Sequence, residues 1–137
     1  MAELLDEVLL LARGPNFASF TTLGADGAPV ASLMWVDADD DHLLLNTERH
    51  RLKYQNVCRD PRVHVLIVDR EDPGHVAAVK GVVRETVLGD AARDHVDRLA
   101  RKYQGADFDP GRIVSERVLL RVAPLRQRVR SSEERIE

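Results

Sequence analysis

A chain of 137 residues with 44% hydrophobic and 31% charged residues suits one globular domain and leaves no room for a second independent core. Its formal charge of −3 and pI near 6.0 exclude a general nucleic-acid binder, which needs a net basic face to neutralise phosphates. No apolar run approaches the roughly 20 residues that cross a bilayer, so neither nucleic acid nor membrane is an expected partner. The single cysteine, Cys58, cannot form an internal disulfide, and no basic-then-apolar leader precedes Glu3 and Asp6, so a reducing cytoplasm is the expected location. Lysine occurs only at Lys53, Lys80 and Lys102, the other basic residues being arginine.

Leu4, Leu5, Val8, Leu9, Leu11 and Ala12 follow i, i+4, i+7 spacing, which predicts an amphipathic helix over residues 2–12, ended by Gly14-Pro15 and lying over an open barrel end. Residues 16–23 and 28–36, joined by the turn Gly24-Ala25-Asp26-Gly27, read as a hairpin. An acidic turn over 37–41 and a third strand over 42–47 continue it as a meander. From Glu48 the period changes. Arg49, Lys53 and Asn56 share a helical face, Leu52, Val57 and Cys58 supply apolar contacts, and a short helix ends near Asp60-Pro61 with Cys58 as a small buried hydrophobe. Alternation returns over 62–69, then a loop over 70–74 leads to a long strand over 75–88 in which Gly81 marks a bulge or a close approach.

Residues 90–103 carry the apolar stripe Ala92, Val96, Leu99 and Tyr103, with Asp94–Arg98 and Asp97–Arg101 as i, i+4 ion pairs. A loop over 104–115 precedes a last strand from Glu116 to about Val122, and Pro124 makes any continuation toward Val129 an edge or a bend. Residues 131–137 form a charged tail, expected to be frayed. Six to seven mostly antiparallel strands with two or three helices describe a mainly β (α+β) chain, a closed or partly closed β-barrel.

The chemistry concentrates in residues 42–61, HLLLNTERHRLKYQNVCRDP, where a strand ends in Asn46-Thr47 and a basic helix begins. Helix starts offer unpaired amides and a positive dipole end to a phosphate, and Thr47, Arg51 and Lys53 add hydroxyl and charged donors. Two charged hydrogen bonds contribute roughly 3–6 kcal/mol against an association cost of roughly 4–15 kcal/mol. Tight binding therefore needs a buried planar portion as well; about 200 Å² of ring surface adds roughly 5 kcal/mol. The strand over 31–36, with Leu33, Met34 and Trp35, supplies a wall for it. By pattern alone, the same segment reads equally well as a solvated basic face, with Trp35 in the core.

The string ASLMWVDADDDHLLLNTERHRLKYQNVCRDPRVHVLIVD, followed by VAAVKGVVRET, DHVDRLARKYQG and RVLLRVAP, resembles the pyridoxamine 5′-phosphate oxidase-like superfamily, particularly its F420-dependent group. The resemblance runs from about Asn16 to Arg126 and implies an FMN-binding-like split β-barrel, with residues 1–137 read as one domain. It also implies a homodimer with two sites built by both subunits, and a deazaflavin F420 (alternatively FMN) used to move hydride to or from a small electron-poor substrate. By matching positions it implies cofactor contacts at Asn46, Thr47, Arg51, Lys53 and Asn56, with Met34 and Trp35 near the ring, Lys80 contributing from the later strand, and Arg49 and Arg59 suited to an acidic tail. His50 stands where the family commonly has glycine. The C-terminal tryptophan and arginine-rich motif of true pyridoxamine phosphate oxidases are missing, which disfavours vitamin B6 oxidation. A non-catalytic carrier of F420 or haem is the reading from a different class. His42, His50, His64, His75 and His95 show no metal-ligand spacing, and Ser19, Ser32 and Ser115 lack a nucleophile motif, so neither a metal nor a catalytic side chain is expected.

Overall fold

In the computed structural model, which describes residues 3–132, seven strands form one antiparallel sheet in the order β2-β1-β5-β6-β7-β4-β3. They are β1 (Phe17–Leu23), β2 (Pro29–Trp35), β3 (Asp37–Ala38), β4 (Leu43–Glu48), β5 (Arg62–Val68), β6 (Val76–Leu88) and β7 (Arg117–Arg130). Three helices flank the sheet: α1 (Asp6–Arg13), α2 (Leu52–Arg59) and α3 (Asp90–Gln104). β2 is one edge and β4 lies next to the other, yet both line the same cleft. The sheet therefore curls until its edges face each other without pairing, a split barrel.

Period-two alternation sends Phe20, Leu43, Leu45, Val65, Ile67, Val79 and Leu120 to the inside of the curl, where each is fully buried. Burial of such side chains stabilises by about 1.5–3 kcal/mol each. α1 closes one end, adding Val8, Leu11 and Ala12 to the same core. Its first turn is also tied down, because His75 bridges Glu7 of α1 and Asp69 at 3.1 and 3.0 Å. α3 packs on the outer face, where Ala92 meets Leu44 of β4 and Leu119 of β7.

The observed elements correct several sequence expectations. The third long strand leaves the meander: β4 pairs with β7, and the acidic turn before it contains the short strand β3. α1 starts at Asp6 because the chain before it is extended, with the Leu5 amide donating to Gln127 Oε1 at 2.8 Å. α2 starts at Leu52, since Glu48 is held in β4 opposite Arg117. Cys58 is exposed, on the wet side of α2. On α3, Asp97 pairs with Arg93, and Arg101 with Asp107 in the following loop. β7 runs through Pro124 to Arg130, possible because β4 pairs with it only up to Val122, so the missing amide of Pro124 interrupts no ladder on that side. Residues 133–137 of the expected tail lie outside the described residues.

Gly81 is a point of close approach. A Cβ there would sit 2.5 Å from the Ala123 carbonyl oxygen and 2.8 Å from Val122 Cγ1, beside a register shift between β6 and β7. The backbone oxygen cannot swing aside, so Gly81→Ala is expected to destabilise by about 1–3 kcal/mol in urea unfolding. An unchanged midpoint would contradict this packing.

Candidate functional site

Where the two sheet edges face each other lies a cleft of about 280 Å³ with an aromatic wall and a basic wall. Leu33, Met34 and Trp35 come from β2 and Phe17 from β1. Asn46 and Thr47 come from β4, Arg51 from the cap of α2 and Lys53 from its first turn. Leu99 of α3, Phe108, Arg112 and Arg117 complete the lining.

The aromatic wall is fixed from behind. Trp35 stacks on Tyr103 of α3, with centroids 5.2 Å and planes 6° apart, and meets Phe108 edge-on at 6.3 Å. Such pairs add about 0.5–1.5 kcal/mol beyond burial. The Tyr103 hydroxyl donates to the Asn16 carbonyl and accepts from the Val36 amide at 3.1 Å. Burial pushes its pKa up to about 12, so it stays a neutral donor. Lys102 beside it donates to the carbonyls of Ala12 at 3.0 Å and Val36 at 2.6 Å.

The basic wall carries uncompensated charge. Arg49 pairs with Glu116 at 3.4 Å and Arg117 with Glu48 at 3.3 Å, leaving Arg51 and Lys53 without a carboxylate partner among the described residues. Burial, reinforced by the Arg51 and Arg117 charges, lowers the Lys53 pKa below the ordinary 10.5. Glu48 is the only buried carboxylate among the described residues. Burial alone would raise its pKa, but the Ser115 and Val114 amides, each donating to Oε1 at 2.7 Å, and the Arg117 and His50 charges outweigh that and hold it ionised.

Asn46 links this wall to α3. Its Nδ2 donates to the Ala92 carbonyl at 2.9 Å and to His95 Nδ1 at 3.0 Å, and its Oδ1 accepts from Arg117 Nε at 2.9 Å. The network assigns the His95 proton to Nε2, which is buried with no partner among the described residues. Desolvation, with four cations nearby, lowers the His95 pKa to about 4, so the ring is neutral.

Of the residues singled out by sequence, Met34, Trp35, Asn46, Thr47, Arg51 and Lys53 meet in this cleft. Asn56 does not: fully buried, it donates to Thr22 Oγ1 at 3.0 Å and accepts from Arg59 Nη2 at 2.8 Å. Lys80 lies in a separate groove of about 300 Å³, with His64, Arg62 and Leu125, on the outer face. His50, in the place of the family's glycine, strains nothing; its ring and its amide both bond Ser115 Oγ, at 2.6 and 3.1 Å, and no non-glycine among the described residues has a positive φ. Sequence reasoning missed Phe108, Arg112 and Arg117. A phenylalanine inside a polar loop and an arginine opening a buried strand were the available signals.

The pattern of the pyridoxamine 5′-phosphate oxidase family matches residues 4–130. No curated protein matches the chain. Among solved structures, an F420 reductase is similar at a TM-score of 0.78 and 26% identity, over 87% of this chain and 94% of its own. A conserved hypothetical protein of Mycobacterium tuberculosis has a TM-score of 0.69 and 21% identity, over 96% and 88% of the two chains. A putative pyridoxamine 5′-phosphate oxidase of Listeria innocua has a TM-score of 0.66 and 20% identity, over 90% and 95%. The last two likenesses speak for the fold alone. With nearly the whole chain matched and the split barrel on the page, this chain belongs to the pyridoxamine 5′-phosphate oxidase family.

Proposed function

We propose that the cleft binds the deazaflavin F420 and that the protein, as a homodimer, transfers hydride between it and a small electron-poor organic substrate. The observation that carries this reading is the pair Arg51 and Lys53, cations with no carboxylate partner among the described residues, set beside a rigid Trp35 wall in a chain of net charge −3. This donor set fits the group: Thr47, Arg51 and Lys53 suit the phosphate, and Leu33 and Trp35 give the ring an apolar face. F420 is favoured over FMN by the likeness to an F420 reductase. When bound, the deazaflavin supplies the hydride, and a solvent proton completes the reduction of the acceptor. The protein's own part is to hold the phosphate, fix the ring plane through Trp35 and Tyr103, and narrow water access with Phe108.

The cleft of one chain, about 280 Å³, is at the lower end of small-molecule sites, and Leu33 at its rim is 71% exposed. A second copy laid over this rim completes the wall. In this reading Lys80, which lies outside the cleft of its own chain, is the residue assigned to the cofactor held by the other subunit.

Fluorescence titration with F420, and separately with FMN, tests this. Arg51→Ala and Lys53→Ala are each expected to weaken binding by about tenfold or more, the value of one charged hydrogen bond, with folding intact. Wild-type protein that binds neither molecule would overturn the reading, and binding without consumption of reduced cofactor over enones, quinones and nitro compounds would make it a carrier.

Lys53 also predicts a pH profile. Because its pKa is lowered, it loses its proton before an ordinary lysine would, so affinity for inorganic phosphate is expected to fall as pH rises toward 10.5. Lys53→Arg, which keeps its proton, is expected to flatten that fall. An identical alkaline decline in wild type and Lys53→Arg would contradict the assignment.

A further inference from the structure

We propose that Arg117 is a preset carboxylate-binding residue, and that the acceptor entering this cleft is a flat, conjugated acid whose carboxylate Arg117 holds. That the acid is the hydride acceptor rests on the reading given under Proposed function; that Arg117 binds an oxyanion does not.

Only 11% of the Arg117 side chain is exposed, yet its donors are incompletely used. Nε is spent on Asn46 Oδ1 at 2.9 Å, and Nη1 lies 3.3 Å from Glu48 Oε2. Nη2 has no partner among the described residues, although the guanidinium lines the cleft. A guanidinium has five donors, and those of Nη2 are not sealed in the interior but open onto the cleft, where an incoming anion can take the place of water.

The group is also immobilised before any ligand arrives. Asn46 and Glu48 hold its edge, and the Phe108 ring lies 4.9 Å from the guanidinium carbon. Side-chain entropy is thus lost on folding and not on binding, which favours affinity. Asn46 and Glu48 are positioning residues in this scheme; Asn46 in turn is anchored by the Ala92 carbonyl and neutral His95.

Charge separates this subsite from the phosphate cradle. Arg51 and Lys53 carry their charge without a carboxylate, as a phosphate requires, whereas Glu48 offsets part of the Arg117 charge. A half-compensated planar fork matches a carboxylate monoanion better than a phosphate dianion. Phe108 beside that fork offers a flat apolar body a face of its own, Trp35 being left to the ring.

The test is a titration of the full chain with benzoate, with neutral benzamide as control, followed through the arginine side-chain Nε–H signals in ¹H–¹⁵N spectra. Benzoate is expected to shift the Arg117 signal and benzamide to leave it. Arg117→Lys keeps the charge but loses the fork, and is expected to weaken benzoate by about tenfold while leaving F420 affinity within about twofold. Arg62→Lys, outside this cleft and 71% exposed, is expected to leave benzoate binding unchanged. An Arg117 signal unmoved at benzoate saturation overturns the proposal whatever the variants do. So does an Arg117→Lys protein that loses F420 as severely as Arg51→Ala, since Arg117 would then serve the cofactor's acidic tail. If wild type binds neither F420 nor FMN while benzoate still moves Arg117, the cofactor reading falls and the anion subsite stands.

Discussion

The two free edges of the sheet are held apart and in register by α3, and the width of the cleft depends on that strap. One end of the helix receives Asn46 of β4 through the Ala92 carbonyl and His95. The other end presents Tyr103 and Lys102, which bond the Val36 backbone just beyond β2. A helix of 15 residues spans about 22 Å and does not bend under small loads. The seam that curling alone would leave indefinite thus becomes a cleft of set dimensions, with Trp35 on one lip and Asn46, Thr47 and Arg117 on the other.

Charge inside that cleft is arranged against the trend of the chain. The protein is acidic overall, yet four cations, Arg51, Lys53, Arg112 and Arg117, line one small cleft beside the buried carboxylate of Glu48. Mutual repulsion and desolvation of these groups cost stability in the free protein, as the lowered Lys53 pKa registers. A bound anion relieves that cost, so the strain is stored where a ligand would release it.

Much of this was legible in the sequence, for definite reasons. Strands such as β1 and β5 follow clean alternation, and the α3 stripe of Ala92, Val96 and Leu99 is unambiguous. Thr47, Arg51 and Lys53 were readable as a site because they are close in sequence at one strand-to-helix junction. What escaped was non-local. The pairing of β4 with β7 depends on how the sheet closes, and that pairing brings Arg117 opposite Glu48. Asn56 carries the right spacing for a ligand contact, yet its amide is spent on Thr22 and Arg59, partners that sequence spacing does not reveal. Cys58 looked apolar by helical phase, but α2 buries Asn56 and Val57 against the sheet, and Cys58, like Leu52, falls on the exposed side.

The central claim is that the seam between β2 and β4 receives a flat, acidic redox molecule. The most direct measurement is a crystal structure of the protein grown with F420. The account predicts the ring against Trp35 and the phosphate within hydrogen-bonding distance of Arg51 and Lys53. Ligand density on the outer face of the sheet, with the seam filled only by water, would contradict it.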